Sequence, residues 1–172
     1  FNPRCGGCDF CFYGYRSKQL ENITAEQGFQ EIEIETGLKE LSCLEEISIV
    51  TGRFESEEKV KEHILDVIDQ AEKRGFNKRI FYIGSQLVTP NSINEILKKL
   101  ENNSDRFRYA YTIEKFFERN SIMHGSKGKK IYSEILNDVK TLKNLGINNL
   151  EYTYLVGIEN LDDFKEGADA LV

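Results

Sequence analysis

The chain has 172 residues, 40 % of them hydrophobic, which suits one domain spanning residues 1–172 with a sizeable core and is too little for two ordinary domains. Its formal net charge of −6 disfavours nucleic acid and anionic membranes as partners, because both attract basic proteins. No apolar run approaches the roughly 18 residues of a membrane helix and no signal peptide is recognisable, so we expect a cytoplasmic protein. We also expect a fragment of a larger protein, because the last helical segment, from Leu161, is cut short.

The first predicted element is a loop that carries Cys5, Cys8 and Cys11, because the residues around them have neither helical nor strand periodicity. We expect a short strand before this loop, mostly outside the chain. A helix is predicted from the capping residue Thr24 to about residue 44, because apolar residues recur along one stripe: Ile34, Leu38, Leu41 and Leu44. Cys43 falls beside this stripe and is predicted to be a small buried side chain.

Four strands are predicted from β-branched and apolar runs, over residues 46–52, 79–84, 106–113 and 150–157. Each is followed by a predicted helix. Ser56 and Thr89 supply the N-caps of the helices after the first two strands, and a further helix begins at Leu161. Residues 125–130 are predicted as a loop that leads into a long helix, whose apolar face holds Ile131, Ile135, Val139 and Leu142.

The alternation of strand and helix at roughly 30-residue spacing is typical of right-handed βαβ units. The sequence therefore predicts an α/β fold with a parallel sheet. Each predicted strand is apolar on both faces, as burial in such a sheet requires. The periodicity does not distinguish an open, doubly wound sheet from a barrel.

The cysteine loop places three thiols within seven residues, a density that is unusual for cysteines kept only for packing. In a reducing compartment this spacing is typical of metal ligands or redox-active thiols. A structural zinc site needs four ligands, and neither Cys43 nor the two histidines, His63 and His124, have ligand spacing to the three thiols. The residues alone leave three interpretations of the thiols open: a catalytic iron-sulfur cluster, a zinc module and an electron-transfer cluster.

The loop resembles the cluster-binding loop of the radical S-adenosylmethionine (radical SAM) enzymes, in which cysteines follow the spacing C-x3-C-x2-C with an aromatic residue before the third. Cys8, Phe10 and Cys11 match the second half of this pattern, while Cys5 and Cys8 are separated by two residues instead of three. The resemblance covers most of the chain. It implies a parallel (βα) partial TIM-like barrel, truncated at the C-terminus.

The resemblance further implies that Cys5, Cys8 and Cys11 hold three irons of a [4Fe-4S] cluster and leave the fourth open for S-adenosylmethionine. In this family the reduced cluster cleaves S-adenosylmethionine to a 5'-deoxyadenosyl radical, which abstracts hydrogen from a substrate. The chain would then be an enzyme acting on a small-molecule or peptide substrate, with an electron donor such as flavodoxin or ferredoxin as its partner. The alternative is a non-catalytic zinc or iron-sulfur module, structural or electron-transferring.

The resemblance also implies cofactor contacts, made by Phe10 in the loop and by residues at the ends of strands. Thr51 and Gly52 occupy the place of a glycine-rich motif that lies near the amino group of S-adenosylmethionine. Thr112 and Glu114 occupy the place of polar residues that touch the ribose in enzymes similar to biotin synthase.

Two more contacts are implied farther along the chain. Arg119 or Lys130 would pair with the methionine carboxylate. Gly157 matches the middle glycine of a fifth-strand motif that packs on adenine, although the acidic residue of that motif, Glu159, comes one place early. Independently of the resemblance, residues 84–86 end the predicted strand 79–84 and are expected to face a ligand, because ligands of parallel α/β folds bind at the carboxyl ends of strands, or to form a turn.

Overall fold

The computed structural model of the chain describes residues 8–11 and 24–171, so Cys5 and the strand expected before it lie outside the described residues. The described strands are β1 (Glu46–Val50), β2 (Arg79–Gly84), β3 (Phe107–Glu114) and β4 (Asn149–Tyr154). The helices are α1 (Ala25–Thr36), α2 (Glu57–Glu72), α3 (Pro90–Lys99), α4 (Gly125–Lys129), α5 (Tyr132–Asn144) and α6 (Leu161–Asp169). Short 3-10 turns occupy Ser104–Arg106 and Arg119–Ser121.

The four strands form one all-parallel sheet in the order β1-β2-β3-β4. The predicted α/β fold with a parallel sheet is therefore confirmed. Strands that follow one another in the chain are neighbours in the sheet, without the reversal of order that defines a doubly wound fold. The partial TIM-like barrel stays a prediction.

The core lies between the sheet and helices α2, α3 and α5. Alternate residues of β2 and β3 are buried against these helices, among them Ile80, Tyr82, Phe107, Tyr109 and Tyr111. The apolar face predicted for α2 is confirmed, since the following side chains are all buried: Val60, Ile64, Val67, Ile68 and Ala71.

The prediction that each strand is apolar on both faces is wrong for β1 and β4. Ser48 and Glu151 are exposed, and Val50 keeps 66 % of its surface in contact with solvent. Arg108, on the same side of β3, lies over the ring of Phe81 at 4.1 Å. This alternation indicates that the described helices cover one face of the sheet and leave the other polar and partly open.

The predicted length and stripe of the first helix are also wrong. α1 ends at Thr36 because Gly37 adopts the left-handed conformation, with φ of 72°, and its N–H bonds back to the Glu33 carbonyl. Ala25 and Phe29 form its buried side, whereas Ile34 is 73 % exposed. Cys43 consequently lies in the loop before β1, and its side chain is exposed instead of buried.

Two corrections concern the segment between β3 and β4. Residues 125–129, predicted as a loop, form the short helix α4, in which a Cβ on Gly128 would lie only 2.1 Å from the carbonyl oxygen of Met123. Ile131, predicted on the apolar face of the next helix, is instead its N-cap residue and is 61 % exposed. Its backbone N–H donates to the carboxylate of Glu134 at 2.8 Å, a capping hydrogen bond at the start of the helix.

Phe116 connects the sheet to α6 through a cluster of aromatic rings. Its ring centroid lies 5.2 Å from that of Tyr154 and 5.9 Å from that of Tyr132. On the helix side, Gly167 approaches so closely that a Cβ there would lie 2.3 Å from the Phe116 ring. Glycine is therefore required at this position by close packing.

We expect Gly167→Ala to lower the free energy of unfolding by about 1–3 kcal/mol, because the added methyl overpacks the ring of Phe116. Urea denaturation measures this change. Lys165→Ala, on the exposed side of the same helix, is the matched control and should stay within about 0.5 kcal/mol. A gain in stability for Gly167→Ala, as helix propensity alone predicts, would contradict the close packing.

Candidate functional site

The carboxyl ends of β1, β2 and β3 meet the cysteine loop around a cavity of about 400 Å³. Ligand sites of parallel α/β folds lie at this edge of the sheet. The loop contributes Cys8, Phe10 and Cys11, and the strands and later segments contribute Val50, Thr51, Gly52, Arg53, Tyr82, Ile83, Gly84, Ser85, Gln86, Thr112, Glu114, His124 and Lys127. The structure thus brings together seven of the residues that the sequence predicts for the site: Cys8, Phe10, Cys11, Thr51, Gly52, Thr112 and Glu114.

The cysteine loop is held against a segment more than a hundred residues later in the chain. Cys8 forms an antiparallel β-bridge with Met123, and the backbone N–H of Asp9 donates to the carbonyl of Ile122 at 2.9 Å. The Asp9 carboxylate lies 2.8 Å from Nε2 of His124, and the N–H of Cys11 closes a turn onto the carbonyl of Cys8. These contacts fix both thiols, each half-buried, at the wall of the cavity.

The loop after β1 is fixed by a side chain from the loop after β2. The amide group of Gln86 accepts from the N–H of Phe54 at 2.8 Å and donates to its carbonyl at 3.0 Å. This pair of hydrogen bonds sets the backbone next to Arg53, whose guanidinium donates to the hydroxyl of Ser126 in α4. Thr51 and Gly52 are therefore presented to the cavity by a preorganised loop.

Tyr82 forms part of the floor of the cavity. Its side chain runs beneath Gly84, where a Cβ would lie 2.1 Å from the tyrosine oxygen, so only glycine fits. Burial raises the pKa of the Tyr82 phenol well above its usual value, which keeps the hydroxyl protonated. The floor is accordingly uncharged, although it carries a hydroxyl that can donate a hydrogen bond.

Glu114 ends β3 in a conformation that is rare for a residue with a side chain, with φ of 67°. Its carbonyl accepts from the N–H of Leu155, and its carboxylate lies 2.6 Å from Nζ of Lys127. Backbone strain of this kind concentrates at functional sites, where surrounding contacts maintain it. The strained residue and its ion pair both line the cavity, next to Thr112.

Arg119 and Lys130 lie away from this cavity. Arg119 is 4 % exposed, and its guanidinium donates to the carbonyl of Ile113 at 2.6 Å and to that of Lys115. Burial lowers the pKa of Arg119. Lys130 pairs with Asp138 and approaches the Tyr111 hydroxyl at 3.3 Å. Both residues line a separate hollow of about 580 Å³, and their assignment to the methionine carboxylate stays a prediction.

Gly157 also lies outside the cavity lining, in the exposed turn after β4, with φ of 94°. The nearby acid, Glu159, accepts from the backbone N–H groups of Phe116 and Phe117 at 2.9 and 2.6 Å, and from the Tyr154 hydroxyl at 2.8 Å. Its carboxylate therefore fixes the turn after β3. The assignment of Gly157 to adenine stays a prediction.

His124, Lys127 and Arg53 line the cavity without having been predicted for it. The sequence carried one signal for Arg53, which directly follows Thr51 and Gly52 after a strand. It carried none for His124, because 115 residues separate it from Asp9. His63 and Cys43, which were not expected to be ligands, do not line the cavity. His63 packs on Phe54, with ring centroids 5.3 Å apart, and Cys43 precedes β1, at the amino ends of the strands.

Within residues 8–11 and 24–171, no three His, Cys, Asp or Glu side chains are grouped so that they could hold a metal ion, and Cys5 is not among these residues. No helix in the same part of the chain is long and apolar enough to cross a membrane. Comparisons of the chain with protein-family models, with curated proteins and with solved structures give no match.

Proposed function

We propose that this chain is the core domain of a radical SAM enzyme, in which Cys5, Cys8 and Cys11 bind a [4Fe-4S] cluster. The observation that supports this most strongly is that Cys8 and Cys11 share one cavity with the polar residues that end β1 and β3. Two thiols from a short loop are a soft donor set suited to iron-sulfur chemistry. When bound, the cluster and S-adenosylmethionine supply reductive cleavage of the sulfonium to methionine and a 5'-deoxyadenosyl radical.

The protein's own residues have the task of orienting and enclosing the reactants. Thr51, Gly52, Thr112 and Glu114 surround the cavity beside the thiols and offer hydroxyl, backbone and carboxylate groups to a polar cofactor. Phe10, 38 % exposed, supplies an apolar wall next to Cys11. A parallel (βα) partial TIM-like barrel and a cytoplasmic location belong to the same proposal.

The proposal is tested by anaerobic reconstitution of the full-length protein with iron and sulfide, followed by reduction and addition of S-adenosylmethionine. We expect 5'-deoxyadenosine to form. Protein reconstituted with zinc in place of iron is the control and should form none, because zinc has no redox chemistry. If protein with a verified [4Fe-4S] cluster forms no 5'-deoxyadenosine with any reductant, the alternative of a non-catalytic metal module gains support.

A further inference from the structure

His124 makes a side-chain contact with the cysteine loop from a distant part of the chain. Its Nε2 atom lies 2.8 Å from the carboxylate of Asp9, 115 positions away in the sequence. A carboxylate only accepts hydrogen bonds, so Nε2 carries the hydrogen and donates it. The side chains of His124 and Asp9 are 47 % and 61 % exposed, so burial does not force them together. The contact is therefore a specific one between two partly solvated groups.

The side chain of His124 is directed to the loop instead of to its own helix. His124 is the N-cap residue of α4, yet its side chain makes no capping hydrogen bond there. The residue also lines the cavity, next to the half-buried thiols. In the described part of the chain, its ring is thus committed to Asp9.

The segment that carries His124 is attached to the end of the sheet. Met123 is 2 % exposed, and its N–H donates to the carbonyl of Arg119 at 2.9 Å. Arg119 is itself buried and donates to the carbonyls of Ile113 and Lys115, at the end of β3. The cysteine loop therefore contacts a part of the chain whose own position is fixed.

Asp9 lies between the two thiols that line the cavity. Cys8 precedes it directly, and the N–H of Cys11 donates to the carbonyl of Cys8 at 2.8 Å, so the two thiols belong to one turn. Backbone contacts with residues 122 and 123 also hold this turn. The contact with His124 differs from these because side chains make it, so a substitution can remove it.

We infer that His124 is a positioning residue for the metal-binding loop, and that its hydrogen bond to Asp9 holds Cys8 and Cys11 at the cavity wall. The inference rests on the proposed function, which supplies the cluster that the thiols bind. His124 acts through Asp9 and not as a ligand, since no three such side chains within the described residues are grouped to hold a metal ion. Hydrogen bonds of this kind, outside the ligands themselves, strengthen metal binding by orienting the ligands.

The test measures how fast iodoacetamide, a neutral reagent, alkylates Cys8 and Cys11 in the unreconstituted full-length protein, relative to the exposed Cys43. Half-buried thiols react through opening of the loop, so this ratio reports the opening. We expect His124→Leu to raise the ratio about two- to fivefold, the range for loss of an exposed pair. After reconstitution, the same variant should lose iron to a chelator faster than wild type.

Three comparisons isolate the hydrogen bond. His124→Gln keeps an N–H donor at a similar reach and should behave as wild type does. His63→Leu, at the other histidine of the chain and outside the cavity lining, is the matched control and should leave the ratio unchanged. In Asp9→Ala protein, His124→Leu should have no further effect, because its partner is already absent. This last comparison also cancels any effect of the Asp9 charge on the reactivity of the thiols.

The inference is overturned if the ratio in His124→Leu equals that of wild type, or if His124→Gln reacts as fast as His124→Leu. An equal effect of His124→Leu with and without the Asp9 carboxylate would also overturn it. The proposed function fails separately. If alkylation and iron loss respond as expected, while S-adenosylmethionine leaves the spectrum of the reduced cluster unchanged, the positioning role stands and the radical SAM proposal falls.

Discussion

Cys8→Ala and Cys11→Ala should each abolish stable binding of a [4Fe-4S] cluster, whereas Cys43→Ala should bind it as wild type does. Cys8 and Cys11 face one cavity, and a cluster held by three thiolates has no spare protein ligand to replace either of them. Cys43 lies before β1, at the amino end of the sheet, and is exposed. Iron and sulfide content per chain after anaerobic reconstitution and desalting measures the difference.

The control for folding is the far-ultraviolet circular dichroism of the unreconstituted variants, which should be the same as that of the wild type. Cys5→Ala extends the series to the thiol that lies outside the described residues, and we expect the same loss of cluster. Retention of a full complement of iron by Cys8→Ala or Cys11→Ala would contradict the assignment. Loss of the cluster in Cys43→Ala would favour a four-thiolate site.

Arg119→Met should lower the free energy of unfolding by about 3 kcal/mol, because two buried carbonyl groups lose their charged donor. The guanidinium donates to the carbonyls of Ile113 and Lys115, and its Nε points to that of Lys127 at 3.4 Å. The residue thus ties the end of β3 to α4. Urea denaturation of the protein without cluster measures the loss.

Arg79→Met is the matched control, because Arg79 is 46 % exposed and its ion pair with Glu46 is a surface pair. We expect it to cost no more than about 1 kcal/mol. The comparison also decides between two roles for Arg119. If Arg119→Met is as stable as wild type and loses affinity for S-adenosylmethionine, the side chain binds the methionine carboxylate and the structural role assigned to it is wrong.

The parts of the fold that could be predicted are those with local signals. Ser56 caps α2 with its side chain, Thr89 occupies the N-cap position of α3 as expected, and β2 occupies the predicted residues, because these signals act within a few positions. The predicted first helix is too long because the hydrophobic spacing continues past Gly37, and the spacing alone does not show that this glycine ends the helix. In addition, tertiary packing determines which residues of the predicted apolar stripe are buried: Leu41 is, whereas Ile34 is exposed.

The residues of the candidate site also fall into those that the sequence predicts and those that it does not. Residues that directly follow strands, such as Thr51 and Thr112, reach the cavity because parallel strands bring their carboxyl ends to one edge. For the segment after β3, the sequence does not show which residues line the cavity and which lie away from it. Lys127 lines the cavity whereas Arg119 and Lys130 do not, and their partners, the Ile113 carbonyl and Asp138, are tertiary contacts without a local sequence signal.

We propose that the cavity presents a three-thiolate [4Fe-4S] cluster to S-adenosylmethionine. The most direct test is electron paramagnetic resonance of the reduced, reconstituted full-length protein, recorded before and after S-adenosylmethionine is added. We predict that the signal of the reduced cluster changes on addition, because the open iron gains new ligands. An unchanged spectrum, from a sample whose iron and sulfide content establishes a complete [4Fe-4S] cluster, would contradict the claim.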